Sequence, residues 1–190
     1  MAYKMIVLDL DGTLTNNKKE ITPRTYEALM EAQKKGIVVV LASGRPTYGI
    51  MPLAKQLKLA EYGGYILAYN GGKIMDCKSG NTVFNQELCP DLVPMLYDEA
   101  MKAGVQILTY QGDGIAATKA DDEYVEHEAF INKMPVVEYS DFKNQVEYPI
   151  NLNSGYATVV FLAMPDFRQV HITFALQTIW MAKCRIVKSK

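Results

Sequence analysis

A chain of 190 residues, 49% hydrophobic and 22% charged, has room for one sizeable domain or for a small core with a second module, and its composition is that of an ordinary globular protein. A formal net charge of −1 gives no electrostatic case for binding nucleic acid or an anionic membrane. No apolar stretch approaches the ~20 residues that span a bilayer, and the first apolar run meets Asp9 too soon for a signal peptide.

That first run, Met5-Ile6-Val7-Leu8, lacks alternation and predicts a strand buried on both faces of a parallel sheet. It ends in two carboxylates, Asp9 and Asp11. Side chains two apart on a strand point the same way, about 7 Å from each other along the backbone at ~3.3 Å per residue. Gly12 lets the chain turn sharply there. Two close carboxylates at a strand end repel unless a cation or a shared proton intervenes, and oxygen-loving Mg²⁺ is the natural cation. The chemistry this suggests is phosphoryl transfer, with one aspartate as nucleophile and the other as acid and base. A solvated turn is the plainer alternative for a lone Asp-Gly pair.

Thr22 is placed to cap a helix that starts at Pro23, carries Tyr26, Leu29, Met30 and Gln33 on one face, and ends at Gly36. Ile37–Ala42 is a second all-apolar strand. Strand, helix and strand with short links predict a βαβ unit with parallel strands, so Ser43 should lie near Asp9. Ser43-Gly44-Arg45 then offers a hydroxyl and a nearby amide for phosphate oxygens. Ser43 as a cap of the next helix, and Arg45 as a partner in a surface ion pair, are the alternatives. A helix over about Thr47 to Leu59 contains Pro52, and Gly64–Tyr69 is a third apolar strand. Asn70-Gly71-Gly72 is a turn into a returning strand, Lys73–Asp76, and Asn70 either stabilises that turn or binds a ligand.

The pattern changes near Asn85. Pro90–Ala103 reads as an amphipathic helix with Leu92, Val93, Leu96, Tyr97, Ala100 and Met101 inward. Gln106–Tyr110 and Ile115–Thr118 flank Gly112-Asp113-Gly114 as a hairpin. A helix over Asp121–Lys133, with Tyr124, Val125, Phe130 and Ile131 among its apolar positions, precedes a short strand at Val136-Val137. Cys77, Cys89 and Cys184 are scattered, without a C-x-x-C pair, which predicts reduced packing residues in a cytoplasmic protein. His127 and His171 have no ligand-spaced partners for zinc.

D-L-D-G-T-L-T at Asp9–Thr15 resembles the first signature of the haloacid dehalogenase-like superfamily, whose hydrolases are mostly Mg²⁺-dependent phosphatases. V-L-A-S-G-R-P at Val40–Pro46 resembles its second. A-Y-N-G-G at Ala68–Gly72 is similar to an active-site loop of the Cof-type branch, which carries an α/β cap. The resemblance runs from Met1 to about Ile150. It implies an α/β fold: a Rossmann-like parallel-sheet core with an inserted α+β cap, divided as core 1–84, cap 85–150 and an unmatched tail 151–190. It implies hydrolysis of small phosphomonoesters such as sugar phosphates through an aspartyl-phosphate. Asp9 would be nucleophile and metal ligand. Asp11 would be acid and base, with its carbonyl on Mg²⁺. Leu10, Gly12, Thr13, Ser43, Gly44, Arg45 and Asn70 would hold phosphate or substrate, while Tyr110, Asp113 and His127 are candidate substrate contacts from the cap whose residue types favour a structural or solvated role instead. A phosphomutase and a non-catalytic remnant that binds phosphate, Mg²⁺ or a partner are the competing functions.

The superfamily's later lysine and acidic-loop signatures are not found in the sequence. From Asn151 onward there are five basic residues, Arg168, Lys183, Arg185, Lys188 and Lys190, against the single acid Asp166. This shift predicts either a replaced or truncated terminus, or a diverged one with a strand over Ala157–Ala163 and a helix over Phe167–Met181. The expected consequences are a poor catalyst, unless Lys183 or Lys188 reaches the site, and a bare flank on the first strand through which the chain self-associates.

Overall fold

The computed structural model describes residues 3–86, 93–146 and the backbone of 159–162. They fall into two compact units, one within residues 1–86 and 131–133 and the other within residues 87–130 and 134–190. Cys89, Cys184, His171, Lys183, Lys188 and the expected helix at Phe167–Met181 lie outside the described residues, as does the start of the helix expected from Pro90, with Leu92.

The first unit is built on a five-stranded sheet in the order β1-β2-β3-β4-β5. Its strands are β1 (Met5–Asp9), β2 (Val38–Ala42), β3 (Tyr65–Ala68), β4 (Lys73–Asp76) and β5 (Thr82–Asn85). β1, β2 and β3 run parallel, and β4 and β5 return antiparallel as the expected hairpin and a further strand. α1 (Pro23–Lys34) connects β1 to β2, and the Thr22 side chain accepts the Thr25 amide as its cap. Gly36 closes the helix at φ +83, a conformation that glycine adopts without a Cβ penalty.

The packing explains why the apolar runs become these strands. β2, central among the parallel strands, buries Val39, Val40 and Leu41. Val39 and Leu41 pack with Leu10, Leu14, Ile21, Leu29, Ile50, Leu57, Leu59 and Ile66 in one core. Each such side chain contributes ~1.5–3 kcal/mol relative to exposure. Gln33, on the inward face of α1, is buried, and its Nε2 donates to the Leu57 carbonyl at 2.9 Å, tying the helix across the core.

Two expectations need correction. β1 is not buried on both faces: Met5 is 49% and Val7 56% exposed, because among the described residues β1 is an outer strand of the sheet, paired with β2 alone. The helix expected to run to Leu59 instead divides into α2 (Thr47–Gln56) and α3 (Leu59–Tyr62). Lys58 between them takes the left-handed conformation, φ +56, so Leu57 and Leu59 can both reach the core. Pro52 lies inside α2.

The second unit has a four-stranded sheet in the order β8-β7-β6-β9. β6 (Gln106–Gln111) and β7 (Gly114–Ala117) form the expected hairpin, with Gly112 at φ +56 in its turn. β8 (Val136–Glu138) lies parallel to β7, and β9 (Val159–Leu162), inside the strand expected at Ala157–Ala163, pairs antiparallel with β6. α4 (Val93–Ala103) buries Val93, Leu96 and Ala100. Met101 is 40% exposed rather than inward. α6 (Phe142–Gln145), absent from the sequence reading, brings buried Phe142 against the Tyr97 ring, with centroids 6.1 Å apart. α5 (Glu123–Asn132) buries Val125 but leaves Phe130 73% exposed.

A side chain at Gly64, just before β3, would put its Cβ 2.6 Å from the Val39 carbonyl and 2.9 Å from Leu59 Cδ2. Gly64→Ala must therefore push β3 from β2 or displace α3. We expect a destabilisation of ~1–3 kcal/mol, read as a lower denaturant midpoint; an unchanged midpoint would show that this junction has slack.

Candidate active site

The site is assembled at the carboxyl ends of three parallel strands. The β1–β2 register pairs Asp9 with Ala42, so Ser43 begins one residue beyond the partner of Asp9. The Ser43 amide donates to the Leu67 carbonyl of β3 at 2.9 Å, which joins the third strand to the other two.

The chain beyond Asp9 folds back over the strand end. Leu10 is fully buried, and its carbonyl accepts the Thr15 amide and the Thr15 hydroxyl, both at 2.9 Å. The Leu14 amide donates to the Asp9 carbonyl at 3.1 Å. Gly12 turns at φ +81, while the space around it is open, so backbone conformation rather than crowding calls for glycine. Thr13 is exposed at the tip of this turn.

Ser43, Gly44, Arg45 and Asn70 come together as expected. The Asn70 amide donates to the Ser43 carbonyl and the Tyr69 amide to the Arg45 carbonyl, each at 3.0 Å. The Asn70 side chain lies where a Cβ on Gly44 would meet it at 3.2 Å. Tyr69, Asn70 and Gly71 all have positive φ, at +55, +54 and +90. That conformation costs a tyrosine roughly 1–2 kcal/mol, and the two backbone bonds to the Ser43 loop hold it. Ser43 does not cap α2, whose cap position is Pro46; its Oγ accepts the Arg45 amide at 3.2 Å instead.

Arg45 is no surface ion pair. It is 7% exposed and grips Asp11 in a two-point contact, Nε to Oδ2 at 3.0 Å and Nη2 to Oδ1 at 2.6 Å. Its Nη1 donates to the Ile131 carbonyl at 3.1 Å. A second cation, Lys19, meets Asp11 Oδ1 at 2.7 Å. Burial pushes the Asp11 carboxyl up, but the hydrogen bonds and charges of Arg45 and Lys19 outweigh it and hold the group below its ordinary value.

Lys19 lies in the polar stretch Asn16-Asn17-Lys18-Lys19, which carries no periodic signal and gave no site residue in the sequence. The loop is in fact tightly built. Asn16 Oδ1 accepts the amides of Lys18 and Glu20, the Lys19 amide donates to the Asn16 carbonyl, and the Asn16 amide donates to the Glu20 carbonyl. Asn16 as the start of a local turn was the available signal.

Asp9 differs sharply from Asp11. Both are exposed, but among the described residues no hydrogen bond or ion pair engages the Asp9 carboxylate. The oxygen donors of Asp9 and Asp11 are the hard ligands that Mg²⁺ selects, so the pair fits that ion. The donor set is partial, since no cluster of three or more His, Cys, Asp or Glu fit for a metal occurs among the described residues.

In the second unit, Tyr110 is buried and its hydroxyl donates to Glu128, the behaviour of a packed structural tyrosine. Asp113 and His127 are exposed. Among the described residues no helix is long and apolar enough to cross a membrane.

Residues 6–159 match the family model of haloacid dehalogenase-like hydrolases, Hydrolase_3. A protein of Streptococcus pyogenes serotype M6, classed by name alone as a phosphatase, is 32% identical over 144 residues, covering 72% of this chain and 51% of its own. YxeH of Bacillus subtilis, classed in the same way, is 30% identical over 135 residues, covering 70% of this chain and 50% of its own. The chain thus spans about half the length of these curated relatives. The crystal structure of a haloacid dehalogenase-like hydrolase from Bacteroides thetaiotaomicron is 50% identical with a TM-score of 0.72, over 78% of this chain and 56% of that one. With a family match over most of its length, and with both signatures paired at the ends of β1 and β2, the chain belongs to the haloacid dehalogenase-like hydrolases.

Proposed function

We propose that this chain is a Mg²⁺-dependent phosphomonoester hydrolase of the cytoplasm acting on small phosphorylated metabolites of the sugar-phosphate kind. One observation carries the reading: two carboxylates stand at one strand end with opposite partners, Asp9 engaged by no cation among the described residues, Asp11 held by two. Carboxylates separated in this way suit different roles. Within this reading residues 1–84 supply the chemistry and 85–150 act as the cap.

Asp9 attacks phosphorus through a carboxylate oxygen. A phosphorus–oxygen bond forms as the ester bond to the leaving alkoxide breaks; Asp11, ionised in the resting site by Arg45 and Lys19, takes up a solvent proton as substrate binds and gives it to that alkoxide. In the second half Asp11 takes a proton from water as the water oxygen attacks phosphorus and the Asp9–phosphorus bond breaks, which releases phosphate and restores both carboxyl groups. Leu10, Gly12, Thr13, Ser43, Gly44, Arg45 and Asn70 position the phosphoryl group, with Asp9 and the Asp11 carbonyl as metal ligands. Mg²⁺, when bound, neutralises phosphate charge and orients the transferring group.

The first experiment is turnover of p-nitrophenyl phosphate with and without Mg²⁺. Mg²⁺-dependent release of nitrophenol is the expected result, and its absence removes the hydrolase reading in favour of a phosphate- or partner-binding remnant. Transfer to a second sugar hydroxyl in place of water would identify a phosphomutase.

Asp9→Asn should abolish turnover and leave the circular dichroism spectrum unchanged, since an amide is a poor nucleophile and brings no charge to the metal. A purified variant that keeps the wild-type rate would refute the assignment. Ser43→Ala should lower kcat/KM by an amount equivalent to ~1–3 kcal/mol, because the hydroxyl is one phosphate donor among several. An unaltered kcat/KM would restrict Ser43 to bonding the Arg45 amide.

A further inference from the structure

We infer that Lys19 and Arg45 form a two-cation clamp for the phosphate dianion, with the Asp11 carboxylate as its resting occupant; this rests on the phosphatase reading of the same site. The two cations approach one carboxylate from residues 26 positions apart, Lys19 at 2.7 Å and Arg45 at 2.6 Å from the same Oδ1, with Arg45 Nε on Oδ2. Their combined charge exceeds that of the group they hold. An unshared positive charge remains, beside a second carboxylate that no cation engages.

The placement of Lys19 is built rather than incidental. Its backbone sits at φ +62, a region that side chains other than glycine, asparagine and aspartate rarely enter. Four bonds from the backbone and side chain of Asn16 close the loop around it. The bridge from Thr15 to Ile21 anchors both ends, and Ile21 is in the core. The lysine side chain is only 33% exposed. Arg45 is fixed equally firmly, through its buried side chain and the Ser43 hydroxyl on its amide. A phosphate group brought to Asp9 offers more charge and more acceptor oxygens than Asp11 does. The cations exchange onto it, and Asp11 is released towards the ester oxygen. Lys19 is thus a substrate-positioning cation from the first loop, a role the sequence reading gave to none of its lysines there.

The test is inorganic phosphate binding, followed by calorimetry in Mg²⁺-free buffer at fixed ionic strength, so that turnover plays no part. Lys19→Met should weaken phosphate about tenfold, and Lys19→Arg should restore most of it. Asp11→Asn should tighten phosphate several-fold by vacating the clamp, and this gain should shrink in the Lys19→Met/Asp11→Asn double variant. A lysine that only braces the loop would shift the thermal midpoint and leave phosphate affinity alone. The clamp is overturned if Lys19→Met binds phosphate like the wild type, if Asp11→Asn fails to tighten it, or if the wild type binds none. Lys19-dependent binding by a wild type that does not turn over p-nitrophenyl phosphate would leave the clamp standing and remove the hydrolase reading alone.

Discussion

The parallel pairing of β1 with β2 is the constraint from which the site follows. Its register sets Asp9 opposite Ala42, so the turn after each strand starts at the same edge. Parallel strands need a crossover, and α1 supplies it, held to the core by Leu29 and by the Gln33 bond to the Leu57 carbonyl. The third strand joins through the Ser43 amide and carries Asn70 to the same place. Hydrophobic burial well away from the charged groups thereby fixes where those groups stand.

Within that frame, electrostatics differentiates two side chains of identical chemistry. The Arg45 fork and the Lys19 ammonium converge on Asp11, while Asp9 is left to solvent. The guanidinium is buried, so it is screened by water far less than a surface pair and its hold on Asp11 is correspondingly strong. The same contact delivers Arg45 to the first signature, although 33 residues of helix, strand and loop intervene.

Much of this was legible in sequence because the signals were local. The apolar runs, Thr22-Pro23, Gly36 and Gly112 each express a backbone or burial preference that the fold then obeys. The first two signatures were legible for the same reason, as strand ends followed by turns. What stayed hidden depended on tertiary position. The composition of β1 is that of a buried strand, and only the strand order reveals that Met5 and Val7 face solvent. The break at Lys58 has no glycine to announce it. Lys19 was hidden among four polar residues, since the Asn16 bonds that orient it give no periodic pattern.

The left-handed backbone at Lys19 sets two selection pressures against each other. A glycine there would relieve the local conformational cost and make the loop easier to form, and asparagine would also be tolerated. Either replacement deletes the ammonium beside Asp11. A laboratory evolution campaign that screened only for heat resistance would drift towards glycine or asparagine at this position, and one that screened under scarce substrate would hold the lysine.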